Sequence, residues 1–278
     1  MSLTETNAPR GKRAPSTKAA KPASPRLTAK SADTEEAAGG TEQSMSQTDA
    51  ALNAIRSRII DLTIPPGSRI DEPLLLNSFM LGRTPAREAI NRLAAEGFVN
   101  ILPNRGGIFV RKLDFEEIGE ILIAHQLAEN ILGQLCRFEE NLADDLAEIQ
   151  ERYRHQVRSR QYLSITALNE QFHMRMYQAV GNSFFYEFAQ STHRHVRRLL
   201  VHLYKLEVAE PGEQEEQFEL NLQEHDRIIE AVRKKDRKTL VELLPQHAHA
   251  TQDRFAKILE SKTVKPFAVT LHPILESI

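Results

Sequence analysis

Arg83, Arg87 and Asn91 recur every four residues within "GRTPAREAINRLAAEGFV". On a helix that spacing makes one stripe. A guanidinium can grip a guanine edge through two hydrogen bonds, and a carboxamide can pair with the edge of adenine. The stripe therefore has the chemistry to read base pairs in a major groove. A little further on, Arg105-Gly106-Gly107 joins one long cation to two conformationally free residues, which suits a hairpin tip lying beside phosphates. Arg92 and Arg111 are further cations that could hold phosphates without reading sequence. The other concentration of chemistry is imidazole, since all ten histidines lie after residue 113. The single cysteine, Cys136, closes the apolar run "ILGQLC" and reads as core. Alone it forms no internal disulfide, which fits a reducing compartment and predicts a cytoplasmic protein.

Charge divides along the same line. Residues 51–113 hold 9 Lys/Arg against 5 Asp/Glu, whereas residues 114–278 hold 20 against 27, for a net −2 over the chain. A polyanion would dock on the first third. Residues 1–47 are rich in Ala, Pro, Ser, Thr and Lys and poor in large apolar side chains, so they read as a disordered basic tail that could add sequence-independent attraction to DNA. No apolar run approaches the ~20 residues of a membrane helix, and no membrane partner is expected.

The elements that must position these groups follow from periodicity. Leu52, Ile55, Ile59 and Leu62 mark a helix that Pro65-Pro66-Gly67 stops. A short helix is expected near 72–79, then a longer one with Thr84 as N-cap, Pro85 at its first position and Gly97 after its end. Ala86, Ala89, Ile90 and Leu93 form its inward face. "FVNIL" and "IFVRK" read as two strands around "PNRGG". Beyond Asp114 the pattern is helical throughout, at 114–137, 140–158, 162–180, 183–206, 215–234 and 236–261. The fold class is mainly α: a winged helix-turn-helix at 48–113, an antiparallel all-helical bundle of about six helices at 114–261, and a C-terminal tail at 262–278.

"PPGSRIDE", "GRTPAREAINRLAAEGFV" and "PNRGGIFV" closely resemble the winged helix-turn-helix of GntR-family bacterial transcription regulators. The resemblance implies DNA contacts from Arg83, Thr84 and Arg87 on the recognition helix and from Arg105 and Gly106 on the wing. Three positions depart from the family pattern: Met80 replaces the turn glycine, Gly82 the serine before the first arginine, and Leu76 a small alanine.

"NEQFHMRMYQAVGN", "EHDRIIEAVRKKD" and the histidine of "LLPQHAHA" resemble the FCD helical domain of the same family's fatty-acid-regulator branch. The resemblance implies a divalent metal held at Asn169, His173, His225 and His247, with Asn169 standing where many relatives carry Asp. Spacing is compatible with this, because Asn169 and His173 share a helix face, and an antiparallel helix pair can bring His225 and His247 level. Three imidazoles and one oxygen suit Zn or Ni better than Mg or Ca. His249 lies about 200° round the helix from His247, so only one of the two can point inward, and His247 is chosen. Pro245, just before it, removes a backbone hydrogen bond and is expected to kink the helix. A cation with nearby arginine favours a small carboxylate effector. His125, His195 and Arg198 are its candidate contacts, with His125 standing where relatives place an arginine four residues before a Glu, here Glu129.

The expected function is a ligand-responsive, sequence-specific DNA-binding transcriptional regulator, most simply a repressor, acting as a homodimer on a short inverted-repeat operator in double-stranded DNA. Two other classes make different demands on the sequence. A metal-dependent helical-bundle enzyme would want paired Glu-x-x-His units, and only Glu170–His173 offers that spacing at a candidate ligand, so the chain is read as not an enzyme. A non-specific architectural DNA-binding protein would leave the histidine-rich half without a role.

Overall fold

The computed structural model describes residues 46–71, 74–75, 82–103, 106–207 and 211–261. The basic tail up to residue 45, most of the expected helix at 72–79, Leu76, Met80, Arg105 and the tail at 262–278 lie outside the described residues.

Helix α1 (Gln47–Ile60) is capped by the Ser46 side chain, which accepts from the Asp49 amide, and buries Leu52, Ile55 and Ile59. The chain then turns through Pro65–Ser68, where Ser68 N–H donates to the Pro65 carbonyl at 3.1 Å and Gly67 takes φ +77°. That left-handed conformation favours glycine. A two-residue strand, β1 (Arg69–Ile70), follows. After α2 (Arg83–Ala95) come β2 (Val99–Leu102) and β3 (Gly107–Val110). The sheet order is β1-β3-β2, antiparallel, with Arg69 opposite Phe109 and Val99 opposite Val110. The hairpin agrees with the sequence reading; β1 is an addition to it.

Helix α2 begins two residues earlier than expected. Gly82, not Thr84, is its N-cap and makes no side-chain cap bond. Pro85 therefore sits third in the helix rather than first, at no cost, because amides of the first turn have no intrahelical acceptor. The far end closes as a Schellman motif: Phe98 N–H donates to Leu93 O at 2.9 Å, Gly97 N–H to Ala94 O at 3.1 Å, and Gly97 has φ +79°. Ala86, Ala89, Ile90 and Leu93 are buried against α1 and the sheet.

Six helices follow: α3 (Phe115–Leu135), α4 (Leu142–Arg158), α5 (Tyr162–Gln178), α6 (Ser183–Glu207), α7 (Pro211–Arg233) and α8 (Arg237–Ser261). Helix α3 packs on α6 and α8, α5 on α4 and α6, and α7 on α4 and α8. Helix α8 runs through Pro245 as one element, without the break that the proline suggested. Two apolar clusters fill the bundle, and α3 serves both, giving Leu122 to one and Leu132 to the other. His125 and Glu129 lie between those two leucines, so the polar centre of the bundle falls between its apolar halves. Helix α1 also packs on α6, which joins the winged part to the bundle within one compact unit. Among the described residues no helix is long and apolar enough to cross a membrane.

Candidate functional site

Arg83, Thr84, Arg87 and Asn91 are all exposed on α2, opposite its buried stripe. Arg83, Arg87 and Asn91 line one cleft with Ile101 and Ile108 of the hairpin, so helix face and wing share a surface. The wing tip needs its glycines. A Cβ on Gly106 would meet the Leu102 Cβ at 2.4 Å, and Gly107 has φ +94°. Arg105 lies outside the described residues. Two cations read from the sequence as phosphate contacts are engaged internally instead. Arg92 pairs with Asp49 at 2.6 Å, and Arg111 pairs with Glu117 and Glu120 at the start of α3.

The second centre is buried. His173 on α5, His225 on α7 and His247 on α8 bring their ring nitrogens within 4.8 Å of one another. Each Nδ1 meets an acceptor: Glu129 Oε1 at 3.0 Å for His173, Gln150 Oε1 at 3.1 Å for His225 and Glu224 Oε2 at 2.7 Å for His247. The Gln150 amide is oriented by its nitrogen, which donates to Leu222 O and Asp226 Oδ1, so its oxygen must accept from His225. Each of the three Nδ1 atoms therefore carries a proton, and a ring that is neutral presents its Nε2 lone pair. His173 Nε2 and His247 Nε2 face each other at 3.2 Å, and His225 Nε2 has no hydrogen-bond partner among the described residues. Two lone pairs at that distance repel unless something positive lies between them. The spacing matches the roughly 3.0–3.4 Å that separates nitrogens bound at about 2.0–2.1 Å to one ion. The donor set thus fits a divalent transition metal, and the acceptors behind it orient the rings as outer partners of metal ligands do. Phe172 stacks on the His225 ring at 4.1 Å and fixes its plane. Asn169 is buried one turn before His173 on the same helix and offers a neutral oxygen. Burial lowers the His173 pKa to about 4 and pushes His225 well below its usual value, so both are neutral near pH 7.

His125 is buried beside this trio, as are two residues the sequence reading did not select, Glu129 and His193. Burial alone would raise the Glu129 pKa; the surrounding imidazoles, led by His173, outweigh it and hold the carboxyl well below its usual range. Tyr177 donates its hydroxyl to the same Oε1.

The other two expected effector residues face elsewhere. His195 stacks on Phe98 at 4.2 Å, with Nε2 2.8 Å from the Glu96 carbonyl at the end of α2. Arg198 is fully buried and donates to the Arg111 carbonyl after β3. Both belong to the contact between α6 and the winged part. The physical reason is phase: His195 is about 200° round α6 from His193, which takes the inward position. Lys205 extends the same contact, reaching the Asp61 carbonyl at 3.1 Å.

Comparison with known proteins agrees with both halves. Residues 47–110 match the family described as bacterial regulatory proteins, gntR family, and residues 124–250 match the FCD domain. An HTH-type transcriptional regulator of Agrobacterium vitis is 38% identical over 91 residues, covering 32% of this chain and 53% of that protein. The gluconate operon transcriptional repressor of Bacillus subtilis is 25% identical over 72% of this chain and 81% of its own length. Among solved structures, E. coli McbR/YncC superposes with a TM-score of 0.65 at 20% identity, covering 78% of this chain and 99% of that one, which is a likeness of fold.

Proposed function

The chain belongs to the gntR family of bacterial regulatory proteins, with an FCD domain, and is a DNA-binding transcriptional regulator rather than an enzyme; from that premise we propose that it is a metal-assisted sensor of a small carboxylate. His173, His225 and His247 hold a divalent transition metal, Zn or Ni in preference to Mg or Ca, with Asn169 as a neutral fourth donor. When bound, the ion would supply a Lewis-acid anchor for a carboxylate, which would take the position that three imidazoles leave open or join Asn169 by expanding the coordination. The observation that carries this reading is the convergence of three Nε2 lone pairs, each with its Nδ1 already satisfied. A sugar acid is a natural first candidate, since one relative is named for the gluconate operon. His125 lies beside the trio as the remaining effector contact.

The protein acts as a cytoplasmic homodimeric repressor. Two copies of α2 on one face would read an inverted repeat with half-sites about one helical turn, ~34 Å, apart. Arg83, Arg87 and Asn91 read bases, while Thr84 and the wing residues Arg105 and Gly106 hold the backbone. Helix α6 is the route between the centres: His193 lies in the histidine cluster, and His195 and Arg198 grip the winged part. An effector can shift DNA affinity only by binding the two arrangements of that contact unequally.

The test is operator affinity by fluorescence anisotropy, on a site selected from a randomised duplex pool. It is measured with the protein metal-loaded or chelated, against a panel of sugar acids, hydroxycarboxylates and neutral sugars. A carboxylate-specific change in affinity that disappears on chelation is expected. An equal response to neutral sugars, or one unaffected by chelation, would refute the metal–carboxylate reading.

A further inference from the structure

The geometry points to a second cation site in the same core, formed by His125 and Glu129 of α3 and His193 of α6, separate from the trio His173, His225 and His247. All three side chains are at least 97% buried. Their donor atoms lie within 4.8 Å of one another, with His125 Nε2 and His193 Nε2 at 3.8 and 3.7 Å from Glu129 Oε1. These distances are too long for hydrogen bonds. Both nitrogens of His125, both nitrogens of His193 and Glu129 Oε2 have no hydrogen-bond partner among the described residues. A buried polar atom without a partner is rare and calls for an unseen one.

The donor set says what that partner is. Two imidazole lone pairs and a carboxylate are the ligands of an open zinc-type site, in which protein supplies three donors and leaves a position free. An anion would meet the Glu129 carboxylate, the one formal charge in the cluster. An apolar molecule would leave His125 Nε2 and His193 Nε2, which face the carboxylate, unsatisfied. Drawing the ligands onto one ion requires the His–Glu distances to close by a few tenths of an ångström, toward the roughly 3.0–3.4 Å expected around a common metal. His125 and Glu129 are one turn apart on the same helix face, so α3 presents both together. His193 stacks on His173 at 4.7 Å and meets His125 edge-on at 5.2 Å, so the rings are already held in place.

Glu129 connects the two sites. The carboxylate that accepts from His173 Nδ1 also faces His125 and His193. An ion at the second site draws on this carboxylate and weakens its hold on His173, so the two occupancies are coupled. The second site takes the same class of metal as the first, and the inference does not require the first ion to be present.

The experiment is equilibrium dialysis of the full-length, metal-stripped protein against Co2+, read as bound cobalt per chain by elemental analysis. The parent is expected to bind two ions. His125→Gln and His193→Gln, which keep side-chain bulk, should each bind one, and so should the double variant His173→Ala with His225→Ala. Melting curves verify that each variant is folded. The inference is overturned if no equivalent of cobalt depends on His125 and His193. In particular, a parent count of one that vanishes with His173→Ala plus His225→Ala removes the second site and leaves the first standing. A single ion that survives that double variant but is lost with His193→Gln does the reverse.

Discussion

If α6 transmits the effector signal, its grip on the winged part can be removed with little loss of stability. The variant is Arg198→Met together with His195→Phe. Arg198 is wholly buried, donates one hydrogen bond to the Arg111 carbonyl, and leaves Nε and Nη1 without partners among the described residues. Burial pushes its pKa from 12.5 down to about 10, despite the opposing pull of Glu117. At about 1.36 kcal/mol per pH unit, roughly 3 kcal/mol stands against the charged group in this arrangement. Methionine removes that penalty and keeps the apolar stem. It also removes a charge-assisted hydrogen bond worth about 1.5–3 kcal/mol, and phenylalanine at 195 removes a neutral one worth about 0.5–1.5 kcal/mol while keeping the stack on Phe98. The losses and the gain nearly cancel, so the double variant should lie within about 1.5 kcal/mol of the parent, or roughly 6 °C in Tm for a chain of this size. Leu199→Ala, at a fully buried position next to Arg198, should cost about 2–5 kcal/mol. The assay is calorimetry paired with operator anisotropy, with and without the carboxylate found most effective. An effector that changes parental affinity about 5–150-fold should change that of the double variant less than about 2-fold, with metal content unaltered. A full parental response in the double variant would refute transmission through α6, and a Tm loss like that of Leu199→Ala would refute the energy balance.

Three further outcomes are expected. Arg87→Ala should lose about 1–3 kcal/mol of discrimination between the selected operator and a base-substituted one, while circular dichroism of the bundle is unchanged; equal discrimination would remove Arg87 from base reading. Gly106→Ala forces its Cβ against Leu102, so operator affinity should fall with the melting temperature of the bundle unaltered, and parental affinity would show that the wing tip does not touch DNA. Chelation of metal held at about 100 times its dissociation constant should cost ~2.7 kcal/mol, a Tm loss of roughly 5–11 °C, and His173→Ala plus His225→Ala should abolish the difference between loaded and chelated protein.

The recognition helix was legible because one periodicity sets both of its faces. The four positions that bury, Ala86, Ala89, Ile90 and Leu93, leave Arg83, Arg87 and Asn91 outward by geometry alone. Its cap is ambiguous in the sequence because proline is tolerated throughout the first turn, so Pro85 does not fix the start to a single residue. Strand β1 is two residues long and pairs with β3 almost forty positions away, which leaves no local pattern to detect. Phase also separates His247, buried, from His249, exposed. The same argument applied to α6 would have picked His193, which falls in register with buried Ala189, Val196 and Leu200. There the crowd of basic residues was read by charge, and charge does not report which face a side chain occupies. Arg198 was beyond that argument too, because α6 is covered on one side by the bundle and on another by the winged part, and one sequence does not announce a second covering surface.

The features that make the histidine centre ready for an ion are more distant still. The acceptors that fix the three tautomers come from three separate helices: Glu129 from α3, Gln150 from α4 and Glu224 from α7. None lies near its own histidine at a spacing that marks it as a partner, and Glu224, which neighbours His225, serves His247 instead. Spacing could nominate the ligands, yet their competence depends on which nitrogen holds the proton, and that is decided by packing among α3, α4 and α7. A histidine trio with the same spacing but apolar residues at 129, 150 and 224 would keep the sequence motif and lose the enforced lone pairs. The metal affinity proposed for this chain would therefore rest as much on those three acceptors as on the imidazoles themselves.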